Sequence, residues 1–126
     1  LGLAETMMAS ILIVYDELEA TATLSKFLQT RGYTTDTAAN GSEALERVRT
    51  VQYELVMTDL RMPGMDGADF LARVRLEQPQ LPIVVMTGHT NLGGQDELWA
   101  RAGVEAVLQK PLNLREVSGI LQDLLT

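Results

Sequence analysis

The sequence predicts an α/β domain built on a doubly wound, five-stranded parallel sheet, the (βα)5 arrangement. Five short apolar runs recur along the chain, and each is followed by a turn signal and then by a stretch of helical periodicity. The length agrees, since 126 residues suit one core of the usual size, about 100–200 residues.

Ile11-Leu12-Ile13-Val14 is the first and most apolar run, and the helical stretch near 17–31 that follows carries Leu24, Phe27 and Leu28 on one stripe. The second run, 33–38, alternates in polarity as an edge strand does. It leads into a helix over 41–50, where Asn40 and Glu43 have the spacing of a reciprocal cap. Leu55-Val56-Met57-Thr58 and Ile83-Val84-Val85-Met86 are continuously apolar, the pattern of central strands covered on both faces. They precede helical stretches at 67–77 and 92–102. The fifth run, 104–109, precedes a helix over 113–125 with an Asn113/Glu116 cap and an apolar stripe of Val117, Ile120, Leu121 and Leu124. Residues 1–9 read as a tail or linker without the basic start and long apolar run of a secretion signal, and 10–126 as the domain.

Composition removes several function classes. The net charge is -7, and the ten basic residues are scattered, so the chain lacks the clustered cations that a nucleic-acid surface needs. No apolar run approaches the roughly 18 residues of a membrane span. With no cysteine, disulfides and thiolate metal sites are excluded, which fits a cytoplasmic setting. A single histidine, His89, excludes a multi-histidine zinc site.

In a right-handed sheet of this kind, ligands bind beyond the carboxyl ends of the strands. The residues there are Tyr15, Asp16 and Glu17 after the first run, Asp59 after the third, Thr87 after the fourth, and Lys110-Pro111 after the fifth. Each has an ordinary reading: an Asp after a strand caps helices or sits in turns, and a surface Lys is solvated. Their joint placement at four strand ends argues for a site. Two carboxylates at a strand edge repel, and Mg2+ suits them because it takes one or two carboxylates and completes its shell with waters and phosphate oxygens. Asp16 and Asp59 are the ligand pair this reading selects. Asp59 can also act as a nucleophile toward a phosphoryl donor, with the Lys110 ammonium offsetting charge and the Thr87 hydroxyl donating to a phosphoryl oxygen.

The stretches Ile11-Leu12-Ile13-Val14-Tyr15-Asp16-Glu17, Met57-Thr58-Asp59-Leu60-Arg61-Met62-Pro63-Gly64-Met65-Asp66-Gly67, Val85-Met86-Thr87-Gly88 and Lys110-Pro111 resemble the signature blocks of response-regulator receiver domains. The likeness runs from about residue 10 to 125. It implies the flavodoxin-like receiver fold, strand order 2-1-3-4-5, and a role for each matched position. Asp59 would accept a phosphoryl group from the phosphohistidine of a histidine kinase or a histidine phosphotransfer domain. Asp16, Asp59 and the backbone carbonyl of Arg61 would hold Mg2+. Thr87 would contact the phosphoryl group, Lys110 would pair with it, and the Lys110-Pro111 bond would be cis. Pro63-Gly64 would shape a type II turn beside Asp59.

The resemblance further implies a self-phosphorylating and self-dephosphorylating module of a larger response regulator or hybrid histidine kinase, rather than a stand-alone turnover enzyme. Its signal would leave through the 92–102 helix, the fifth strand and the last helix, a face that would also serve a homodimer. This segment would contact neither nucleic acid nor membrane.

Two positions depart from the family. Tyr15 stands where an acidic residue is usual, a loss like that of an outer-shell metal partner, which typically costs about 10–100-fold in affinity. Glu17, acting through water, could compensate in part, while Tyr15 is expected to pack its ring over the site with its hydroxyl in water. Val107 stands where many members carry an aromatic switch residue, so that coupling is expected to differ. His89 is a candidate for gating water near the site, Gly93-Gly94 for loop freedom, and Trp99 for a partner surface or for packing. The competing readings are a degenerate receiver that serves only as a docking module, and an aspartyl-phosphate phosphatase. The phosphatase chemistry wants a second Asp two residues after Asp59, and Arg61 stands there.

Overall fold

In the computed structural model, which describes residues 9–59, 67–88 and 103–125, the five apolar runs become β1 (Ser10–Val14), β2 (Thr34–Ala38), β3 (Leu55–Asp59), β4 (Ile83–Thr87) and β5 (Ala106–Gln109). The described helices are α1 (Leu18–Thr30), α2 (Gly41–Thr50), α3 (Gly67–Glu77) and α4 (Leu114–Leu125). All strand pairs are parallel and the order is β2-β1-β3-β4-β5, as expected from the sequence. The 92–102 stretch, the carbonyl of Arg61, the Pro63-Gly64 turn, His89, Gly93-Gly94 and Trp99 lie outside the described residues.

Strand periodicity divides the core into two layers. Successive strand side chains point to opposite faces, so Leu12, Val14, Val56, Ile83 and Val85 meet α2 and α3 on one side, through Leu45, Val48, Phe70 and Val74. Ile11, Ile13, Leu55, Met57, Val84, Met86 and Leu108 meet α1 and α4 on the other, through Leu24, Leu28, Val117 and Leu121. β3 and β4 are buried along their whole length, which is why their sequences are apolar without alternation. Each such side chain taken out of water contributes about 1.5–3 kcal/mol. Among the described residues, no helix is long and apolar enough to cross a membrane.

The caps follow the sequence signals in part. Asn40 Oδ1 accepts from the Glu43 amide at 2.8 Å, and Glu43 Oε2 reaches back to the Ala39 amide at 3.5 Å, one residue earlier than a reciprocal cap requires. Asn113 Oδ1 accepts from the amides of Arg115 and Glu116, at 2.9 and 3.2 Å. β5 starts at Ala106, later than the apolar run suggests, because Gly103 turns the chain at φ +70. Arg75 fixes that turn, donating through Nη2 to the Gly103 carbonyl at 2.8 Å and through Nη1 to that of Leu81 at 2.6 Å. A tie from α3 thus sets where β5 enters the sheet, and so where Lys110 leaves it.

Tyr53, just before β3, donates its phenol to Asp36 Oδ2 at 2.6 Å, joining β3 to the edge strand β2. Burial, reinforced by the bond to Asp36 and its charge, pushes the phenol from its ordinary 10.0 up to about 12, although Arg47 opposes the shift. A raised pKa means that the folded state holds this proton more tightly than the unfolded state does. The stability it contributes is present below pH 10 and is lost as pH rises toward 12. Tyr53→Phe should lower the unfolding free energy by about 1 kcal/mol at neutral pH. Urea melts across alkaline pH should show that deficit shrinking between pH 10 and pH 12, and a deficit that stays constant would contradict the assignment.

Candidate functional site

Parallel pairing brings the carboxyl ends of β1, β3, β4 and β5 to one rim of the sheet. Val14 lies beside Thr58, Asp59 beside Met86, and Thr87 beside Gln109, so the residues that follow each strand emerge as neighbours. Alternation then fixes which side of the sheet each occupies. Tyr15 continues the phase of Ile11 and Ile13, Asp59 that of Leu55 and Met57, and Lys110 that of Ala106 and Leu108, all on the α1/α4 side. Thr87 continues the phase of Ile83 and Val85 on the α2/α3 side.

Asp59 is 3% exposed, closing a strand that is otherwise apolar or bonded to itself. The Thr58 hydroxyl donates to the Asp59 carbonyl at 2.9 Å, holding the strand end. The Asp59 side chain is buried, and Lys110 Nζ donates directly to Oδ2. Lys110 is itself anchored, since its amide donates to the Thr87 carbonyl at 2.8 Å; as the resemblance implied, the Lys110-Pro111 bond is cis. Burial works against its charged form, but the hydrogen bond and charge of Asp59, with a contribution from Tyr15, outweigh it, so its pKa stands above the ordinary lysine value. The ammonium is therefore secure at neutral pH.

Tyr15 does more than the sequence suggests. Its ring lies under the Lys110 ammonium, 4.2 Å from centroid to Nζ. The expectation that its hydroxyl sits in water is corrected: the residue is 9% exposed, and the hydroxyl donates to Glu17 Oε2 at 3.1 Å. The sequence placed the Tyr15 ring over the site but did not identify Lys110 as its partner. The shared phase of positions 15, 59 and 110 was the available signal that the ring and the lysine meet.

The structure brings together Asp59, Lys110, Tyr15 and, through the backbone, Thr87, which is 6% exposed. Asp16 stands one residue past Tyr15 on the adjacent strand end and is exposed. Glu17 opens α1 as its N-cap residue, with its carboxylate turned to Tyr15. Val107 is half-buried against the α2/α3 layer. Among the described residues, no three acidic or histidine side chains form a cluster able to hold a metal. Exposed Asp16 follows β1 and buried Asp59 ends the neighbouring β3, and two carboxylates are a number that Mg2+ commonly takes.

Comparison with known proteins places this geometry. Residues 11–122 match the description of the response regulator receiver domain. The transcriptional regulatory protein TcrA of Mycobacterium tuberculosis is 34% identical over 118 residues, which are 90% of this chain and 45% of that protein. The chain spans less than half the length of the curated relatives it matches. Among solved structures, the chemotaxis protein CheY4 of Vibrio cholerae superposes with a TM-score of 0.87 at 30% identity, covering 93% of this chain and 98% of that one. The response regulator TrrA of Thermotoga maritima, solved in complex with Mg2+ and BeF, gives 0.83 at 31% identity, covering 93% and 99%.

The buried pair has a measurable consequence. Removing the ammonium strands a carboxylate, so Lys110→Met should lower the unfolding free energy by about 2 kcal/mol, allowing for the 25% exposure of the lysine side chain. Adding Asp59→Asn should recover most of that loss. Urea denaturation of the two single variants and the double variant checks this; additive losses would show that the two groups are not coupled.

Proposed function

The chain belongs to the receiver-domain family of two-component response regulators, and from that premise we propose that it accepts a phosphoryl group on Asp59 in a Mg2+-dependent reaction. The observation that carries the reading is the pairing of a nearly buried carboxylate with an anchored ammonium at the strand-end rim. An oxygen of the Asp59 carboxylate attacks phosphorus, the bond from phosphorus to the donor nitrogen breaks, and an acyl phosphate forms. Lys110 offsets the charge on the phosphoryl oxygens, and the Thr87 hydroxyl donates to one of them. Asp16, Asp59 and the Arg61 carbonyl would hold the metal, with Glu17 contributing through water. When bound, Mg2+ supplies electrostatic stabilisation to the transferring group.

The donor would be a phosphohistidine on a kinase or phosphotransfer partner. A groove of about 440 Å3 opens beside Lys110, with an apolar wall of Leu24, Pro111, Leu112 and Leu114 and the acidic Glu17 and Glu19 on its lining. Output would use the face built by β5, α4 and the 92–102 stretch. A phosphoryl group adds about two negative charges and three acceptor oxygens next to Thr87, enough to reposition it and the loop that follows. Val107, lacking a ring, would make that switch differ from the aromatic one usual in the family. The chain would serve as one module of a longer response regulator or hybrid kinase, in the cytoplasm, with any nucleic-acid contact made elsewhere in that protein.

Acetyl phosphate with Mg2+ should add one phosphoryl group to the wild type, visible in the intact mass and removed by hydroxylamine, which cleaves acyl phosphates. Asp59→Asn should take up none. Equal labelling of the two proteins would end the reading and leave the docking-module alternative.

A further inference from the structure

We propose that Tyr15 is a positioning residue of the phosphoryl-accepting centre, whose ring seats the Lys110 ammonium independently of Asp59. The inference rests on the reading of Asp59 as the acceptor. A lysine side chain has a flexible four-carbon stem, so fixing its backbone leaves the ammonium free to swing. Here two contacts fix it, the Asp59 carboxylate and the Tyr15 ring.

The two contacts differ in what happens to them during transfer. The Asp59 oxygens are the reacting groups, and their charge moves onto the phosphoryl group as the acyl phosphate forms. The ring is chemically untouched, so it is the part of the seat that persists through the reaction. It also attracts the cation through its quadrupole and carries no formal charge. A carboxylate in its place would offer Lys110 a rival ion pair, whereas the ring leaves the positive charge available to phosphoryl oxygens.

The platform is held at both ends. The Tyr15 amide donates to the Ala38 carbonyl at 3.0 Å, prolonging the β1–β2 ladder by one residue, and the hydroxyl is tied to Glu17 at the start of α1. A ring so fixed cannot follow the lysine if the lysine moves, and it defines where the ammonium rests.

The chain has two lysines, Lys110 and the exposed Lys26 on α1, so lysine-selective 13C labelling gives two ε-methylene signals with an internal reference. In the wild type the Lys110 signal should lie upfield of Lys26 through the ring current. Two ringless variants, Tyr15→Leu and Tyr15→Met, should bring it to the Lys26 position and slow labelling by acetyl phosphate about five- to tenfold, the scale of one partly exposed cation–ring contact. Restoring a ring in Tyr15→Phe should recover the shift and most of the rate. If Lys110 shows no upfield shift in the wild type, or if the ringless variants are labelled as fast as the wild type, the proposal is overturned while Asp59 remains the acceptor. A wild type that takes no phosphoryl group overturns that reading, and this proposal with it.

Discussion

A carboxylate held almost out of water at the end of an apolar strand constrains everything around it. Asp59 closes β3, whose other side chains are buried on both faces of the sheet. A charge in that position is costly unless a counter-charge and hydrogen bonds meet it. Lys110 supplies both, and it comes from a segment 51 residues away. The β4–β5 register, with Thr87 beside Gln109, is what delivers Lys110 to the rim. Arg75 contributes at a distance by fixing the Gly103 turn from which β5 starts.

The same pleat that builds two core layers also sorts the polar groups. Tyr15, Asp59 and Lys110 extend the layer beneath α1 and α4, while Thr87 extends the layer beneath α2 and α3. Asp59 and Thr87 therefore stand on opposite sides of one sheet rim. Loops carried on a rigid sheet edge are where binding groups usually sit. The core beneath that rim is closely packed and resists small displacements.

Much of this was legible in the residues. The continuous apolar character of β3 and β4 predicted central strands, and the alternation at 33–38 predicted the edge that β2 occupies. The stripes on α1 and α4 predicted which helix faces are buried, through Leu24, Leu28, Val117 and Leu121. The start of β5 was misjudged because apolar Val104 packs against the core from outside the strand, and hydrophobicity alone does not distinguish the two. The partner of Tyr15 was missed for a different reason. Comparison with a familiar motif framed the position by what it lacked, and a cation–ring contact between residues far apart in sequence has no local signature. Counting strand phase from Ile13, Met57 and Leu108 would have put Tyr15, Asp59 and Lys110 on one face.

On the proposed reading, Asp59 receives the phosphoryl group in a seat formed with Lys110 and Thr87, beside a metal held by Asp16. The most direct test is a structure determined with Mg2+ and beryllofluoride, which mimics the acyl phosphate. Beryllofluoride should then sit on the Asp59 carboxylate, its fluorines contacted by the Lys110 ammonium and the Thr87 hydroxyl, with Mg2+ held by Asp16 and Asp59. Beryllofluoride absent from Asp59, or bound there with the Lys110 side chain turned away, would contradict it.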